Sequence, residues 1–216
     1  LNRVIRWDEE GIKYEADYMH AELIITDLGL QDESKSVMTS NTKDDIDADL
    51  ESEPLGQQMG TGYRAIVARG LDLAADRSDI GYAVKELSRW MCNPTHMNWE
   101  SIKRLGRYLL GRERMIIAFN YQSNMRNVHV FTDSDHAGCR IIRKSTSGGM
   151  IRLGEHTVKT WSTIQGIIAL SSGEAEYYAM VKGGSQALGV RAIIEDLGLV
   201  KGIVMKTDAS AAKAMC

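Results

Sequence analysis

The stretch VHVFTDSDHAG, residues 128–138, alternates Val128, Val130 and Thr132 with His129, Phe131 and Asp133. That two-residue period is the mark of a half-buried strand. The strand then runs into Asp133, Ser134, Asp135 and His136. An aspartate at a buried strand end costs desolvation energy unless something pairs with it. Turn chemistry accounts for one acid, because Asp bonds readily to nearby backbone. Two acids so close invite a cation, provided that further carboxylates arrive from elsewhere in the chain.

Two later stretches offer them. KGIVMKTDASAAKAM, from Lys201, repeats the opening pattern: an apolar strand ends in Thr207-Asp208, with a helix-forming run behind it. In SSGEAEY, Ser171 and Glu174 have the Ser-x-x-Glu spacing of a capping box, which gives Glu174 a structural task. Glu176 has no such task. Its neighbours Ala175, Ala179 and Met180 read as core-facing, which sets Glu176 near the sheet; the alternative is an exposed helix glutamate. Asp133, Glu176 and Asp208 together are what a pair of hard divalent cations needs, since Mg²⁺ takes oxygen ligands and keeps positions open for water and phosphate. Two such ions about 4 Å apart activate a water and stabilise a leaving oxygen in phosphodiester hydrolysis. Without a cation the carboxylates repel one another and their pKa values rise.

The bulk numbers set few further limits. The chain has 216 residues, 44% hydrophobic and 25% charged, with a net charge of −3. That is ordinary for one or two globular domains and argues neither for nor against nucleic acid. Three cysteines, Cys92, Cys139 and Cys216, lie far apart and form neither a zinc spacing nor a disulfide framework, which fits a reducing intracellular setting. No apolar run is long enough to span a membrane. The chain opens inside a strand-like pattern and stops inside a helix-like one, so it reads as a piece of something longer.

Residues 1–16 read as a hairpin turning at Asp8-Glu9-Glu10-Gly11, followed by a helix from Asp17 to Leu28 that Gly29 ends. Asp44, Asp45, Asp47, Asp49, Glu51 and Glu53 then crowd a stretch without apolar periodicity, a solvated linker, or less readily a metal site. Three helices are expected next: one from Tyr63, one from Ser78 with that residue as its cap, and one from Thr95. In the third, Trp99, Ile102, Leu105 and Leu109 should pack inward, while Lys103, Arg104, Arg107 and Arg114 gather on another side. Those cations either offset the helix dipole or form a phosphate-contacting face. Beyond Met115 the period changes to two. MIIAFNY, NVHVFTD, SGGMIRLG and HTVKTWST are four strand candidates, followed by one long helix or two short ones, a strand and a helix. The order indicates a mixed α/β domain. Lys144, Ser145, Thr146 and Ser147, with Arg140 and Arg143, make a polar turn, either a plain β-turn or a phosphate contact.

Taken in order, FTDSDHAG, RKSTSGGMIRL, ALSSGEAEYYAM and KTDASAAKA resemble the ribonuclease H domain of copia-type LTR retrotransposon Pol polyproteins. Residues 63–111 resemble the segment before that domain, and residues 1–30 the last part of the reverse transcriptase. The resemblance implies a reverse transcriptase remnant over 1–40, an acidic linker over 41–60, a helical connection over 61–114 and a ribonuclease H-like domain over 115–216. It implies a mixed sheet of about five strands flanked by helices, cutting the RNA of RNA–DNA hybrids with two Mg²⁺ or Mn²⁺ ions. Carried over by motif, Asp133, Glu176 and Asp208 are catalytic acids and metal ligands, and Asp135 is a secondary ligand. Lys103, Arg104, Arg107, Arg143, Lys144 and Ser145 are the candidate nucleic-acid contacts. Implied partners are the hybrid and the rest of the Pol polyprotein, with no membrane, in the cytoplasm or within a virus-like particle. The family's fourth acid lies beyond the Asp208 helix, and its Tyr-x-Asp-Asp polymerase motif occurs nowhere here. Two alternatives stand beside this reading: an inactive retroelement remnant that binds nucleic acid weakly, and a haloacid-dehalogenase-type phosphatase, suggested by the Asp-x-Asp after an apolar strand and requiring a doubly wound sheet.

Overall fold

The computed structural model describes residues 2–30, 34–41, 52–123, 125–139, 141–199 and 201–214, apart from the side chain of Ala211. The acidic run from Asp44 to Glu51, expected as linker, and Arg140 lie outside the described residues. The chain divides into two compact units, Leu1–Tyr121 and Gln122–Cys216.

In the first unit, β1 (Val4–Trp7) and β2 (Gly11–Glu15) form the expected hairpin. The Asp8 carboxylate closes its turn, accepting from the amides of Glu10 and Gly11 at 3.0 and 3.1 Å. A third strand, β3 (Ile116–Asn120), pairs antiparallel with β2. The sequence groups this segment with the strands that follow it, yet it completes the first sheet. Alternation marks a strand but says nothing about which edge it joins, because the ladder is made of backbone groups that every sequence carries. Gly11, at φ +151°, lies where β3 comes closest: a Cβ there would be 2.2 Å from the Phe119 carbonyl oxygen.

Helix α1 (Tyr18–Asp27) is capped by Asp17, whose side chain accepts from the Met19 amide, and it is followed by Gly29 at φ +64°. Helix α2 (Gln57–Ala74) begins ahead of Tyr63, because Gly60 and Gly62 obscure the apolar period of its first turns. Helix α3 (Gly81–Ser88) begins later than expected. Residues 78–80 form a turn, and Ile80 rather than Ser78 takes the cap position. The reason is Asp79, which turns back to Arg77 instead of joining a first helical turn. Helix α4 (His96–Leu110) starts at the expected Thr95 cap, reinforced by Asn98 in a reciprocal box. Ile102, Leu105 and Leu109 are buried as the spacing requires, with Trp99 packed beside them. Within this core Arg77 is 1% exposed. Its guanidinium donates to both Asp79 carboxylate oxygens at 2.9 and 2.7 Å and to the Arg112 carbonyl at 2.9 Å. Tyr108 donates its hydroxyl to the same carboxylate at 2.9 Å.

The second unit is a mixed sheet with helices. Its strands are β4 (Asn127–Ser134), β5 (Thr146–Leu153), β6 (His156–Ile164) and β7 (Gly202–Lys206), in the order β6-β5-β4-β7. Strand β5 runs antiparallel to both β4 and β6, and β7 lies parallel to β4. The α/β class is as expected; the sheet has four strands among the described residues, where the resemblance implied about five. One unbroken helix, α5 (Ser172–Asp196), packs on it, and the short α6 (Ser210–Ala214) follows β7. Helix α5 buries Ala175, Ala179, Gly183 and Ala187, one residue per turn along a single face. The small side chains set the distance: a Cβ at Gly183 would lie 2.4 Å from Thr132 Cγ2. Among the described residues no helix is long and apolar enough to cross a membrane.

Candidate metal centre

The parallel register of β4 and β7 places the first two acids. Phe131 is opposite Lys206, and continuing that register by two residues sets Asp208 beside Asp133. Strands in a sheet lie about 4.8 Å apart, so the two carboxylates are neighbours by construction. The small face of α5 brings the third. Its capped N-terminus starts with Ser171, whose hydroxyl accepts from the Glu174 amide at 3.1 Å, while the Glu174 carboxylate accepts from the Leu170 amide at 2.7 Å. The reciprocal contact thus reaches one residue further back than the expected box. Glu174 is occupied in this way, and Glu176 is left to face the strand ends. Each of Asp133, Glu176 and Asp208 offers an oxygen, and these atoms all lie within 4.8 Å of one another.

Asp133 and Asp208 are exposed, and Glu176 is half-buried. One Glu176 oxygen, Oε1, accepts from the Ser134 amide at 3.1 Å. The other, Oε2, is buried without a hydrogen-bond partner. Burial pushes the Glu176 carboxyl above its ordinary range; the Ser134 bond opposes this, and the charges of Asp133 and Asp208 add to it. No ion pair to any of the three acids forms among the described residues. Three all-oxygen donors, one carrying an orphaned buried oxygen, fit a hard divalent cation in donor type, charge and spacing.

The other sequence candidates divide. Asp135 is not in the cluster: its carboxylate accepts from the Thr146 amide and its own amide donates to the Thr146 carbonyl at 3.2 Å, clipping the end of β4 to the start of β5. Ser145 is fully buried. Its hydroxyl accepts from the Ala137 amide at 2.9 Å and its carbonyl from the Gln165 amide at 2.8 Å, so it braces the turn from inside and has no free face for a phosphate. Arg143 is exposed at φ +53°, and Lys144 donates to the Gly166 carbonyl at 2.6 Å. Lys103, Arg104 and Arg107 belong to α4 in the first unit. Lys103 pairs with Glu100 at 2.8 Å and Arg104 donates to Thr39 at 2.7 Å. Arg114, grouped with them by sequence, is held by Glu15 through both carboxylate oxygens. The sequence reading missed Ser134, which enters through its backbone and therefore leaves no side-chain signal. It also missed Gln165.

The chain is 35% identical over 139 residues to the retrovirus-related Pol polyprotein from transposon RE2 of Arabidopsis thaliana, covering 64% of this chain and 10% of that protein. The polyprotein from transposon RE1 of the same plant is 35% identical over 139 residues, 9% of its length. That from transposon TNT 1-94 of Nicotiana tabacum is 32% identical over 127 residues, 59% of this chain and 9% of that protein. The chain therefore spans about a tenth of the length of these relatives. No protein-family model matches it, and neither does any solved structure.

Proposed function

The chain belongs to the copia-type retrotransposon Pol polyproteins, and from that premise we propose that its second unit is a ribonuclease H. Its substrate is the RNA strand of an RNA–DNA hybrid, and Mg²⁺ or Mn²⁺ is its cofactor. The observation that carries this reading is the convergence of Asp133, Glu176 and Asp208 from two strand ends and one helix onto one small volume. Asp133 and Asp208, exposed at the two strand ends, would hold the metal together with the half-buried Glu176, whose carboxylate the Ser134 amide orients. Bound there, a pair of divalent cations supplies water activation and charge neutralisation at the scissile phosphate. Recognition rests on backbone shape and the RNA 2′-OH rather than on base sequence. The rest of the Pol polyprotein is the natural partner, in the cytoplasm or a virus-like particle.

The phosphatase alternative requires a doubly wound sheet, and the antiparallel β4, β5 and β6 do not form one. The test of the nuclease reading is cleavage of an end-labelled RNA–DNA hybrid by the full chain with Mg²⁺ or Mn²⁺. Metal-dependent cutting of the RNA strand, reduced to background by Asp133→Asn, is the expected result. A folded chain that binds Mn²⁺ but leaves the hybrid intact would sink it.

A further inference from the structure

Gln165 follows β6 and is 7% exposed. Its backbone amide donates to the Ser145 carbonyl at 2.8 Å. Its side-chain Nε2 donates twice, to Ser147 Oγ at 2.9 Å and to the Ala175 carbonyl at 2.8 Å. These three partners belong to three different pieces of the site's frame. Ser145 ends the turn after β4. Ser147 lies on β5 directly opposite Ser134. Ala175 is in the first turns of α5, one residue before Glu176. Glu176 in turn accepts from the Ser134 amide. The contacts thus run in a ring, from Glu176 to Ser134, across the ladder to Ser147, through the Gln165 amide group, and back to the α5 backbone beside Glu176.

We propose that Gln165 is a positioning residue for the metal centre, tying the first turns of α5 to β5 so that the Glu176 carboxylate is held against the end of β4. The inference rests on the nuclease reading for its purpose, but its geometry is independent of that reading. A buried side-chain amide with both hydrogens engaged fixes helix and strand together, as apolar contacts, which have no direction, do not. Outer groups that orient metal ligands in this way typically change metal affinity by about 10–100-fold when removed.

The test is Gln165→Met in the full chain, which preserves length and removes both donors. Two quantities are read: hydrogen exchange of the Ser134 amide relative to the Val130 amide on the same strand, without metal, and affinity for Mn²⁺ alone. The expected result is selective acceleration of Ser134 by about tenfold, the net worth of one hydrogen bond, with Mn²⁺ affinity weakened by at least as much. Should Q165M fold while Ser134 and Val130 keep their wild-type ratio, the proposal is overturned. Equal acceleration of all β4 amides would overturn it too, since that is loss of general stability. If the wild type binds no Mn²⁺ but Q165M still releases Ser134 selectively, the nuclease reading and the metal-centre role both fail, and only the tie that holds Glu176 against β4 stands. Selective release of Ser134 with unchanged Mn²⁺ affinity overturns the metal-centre role alone. Should Q165M not fold, Ser147→Ala removes only one of the two acceptors and is judged by the same exchange ratio.

Discussion

The two units treat charge in opposite ways. In the first, buried Glu15 meets the Arg114 guanidinium and buried Arg77 meets Asp79, while Asp76 joins Arg3 and Tyr14. Burial alone would raise the Asp79 carboxyl, but Arg77 and the Tyr108 hydroxyl outweigh it and hold it below its ordinary range. Burial and Asp76 push the Tyr14 hydroxyl up to about 12. The second unit brings three acids together and sets no cation against them among the described residues. Its Glu176 is shifted upward instead. In the first unit each of these charges is neutralised by a partner, whereas the three like charges of the second repel one another, which raises Glu176 further.

The contrast can be broken most severely at Arg77. Arg77→Ala strands Asp79 without its cation, and removing one partner of a buried pair costs about 3–5 kcal/mol. Urea denaturation followed by hydrogen exchange in each unit should place that loss among amides of the first unit. A loss below about 1 kcal/mol would mean that water replaces the guanidinium freely.

Divalent metal should act on the other unit. Mn²⁺ at 100 times its dissociation constant stabilises a site it binds only in the native state by about 2.7 kcal/mol. The protection should appear on β4, α5 and β7, be absent from α1 to α4, and vanish in Asp208→Asn. Protection spread equally over both units would contradict the assignment of the cation deficit to the three acids.

Gly183→Ala sharpens the geometric side. The added Cβ meets Thr132 Cγ2 at 2.4 Å, an overpacking that costs about 1–3 kcal/mol. About 1 kcal/mol of that is offset by better helix propensity. Net destabilisation of up to about 2 kcal/mol is expected, with weaker Mn²⁺ binding as α5 shifts; a stabilised variant would show that α5 has room to move.

The smallest effect is in the pH dependence, and its sign differs between units. Asp79 has a folded pKa below its ordinary 3.8, so its contribution is present above that value and is lost as pH falls through the lowered one. Glu176 has a folded pKa above its ordinary 4.5. The native state then holds that proton more tightly than the unfolded chain, and the second unit loses stability as pH rises from 4.5 through the raised value. Glu176→Gln should flatten that decline in metal-free buffer and make the unit more stable above it. An unchanged slope in thermal melts would show that Glu176 is solvated in the native state.

Much of this molecule is local in origin and was legible as such. Thr95 and Ser171 cap their helices as expected, and Asp17, expected as the first helical residue, caps its own, because a side-chain oxygen a few atoms from an unpaired amide needs no distant partner. Asp133 and Asp208 show themselves as acids closing apolar strands, and Glu176 by the lack of any capping task. What lay beyond reach was partnership across the chain. The pairing of β3 with β2 depends on backbone groups that are the same in every residue. Ser78 lost its cap because Asp79 found Arg77, whose burial arises only once α4 is in place. The burial of Ser145 and the three-way hold of Gln165 exist only when β4, β5 and the start of α5 meet. Residue type and spacing therefore singled out the three acids that the fold brings together. The tertiary structure alone decided their distances, because those follow from strand register and from the close approach that Gly183 allows between α5 and the sheet.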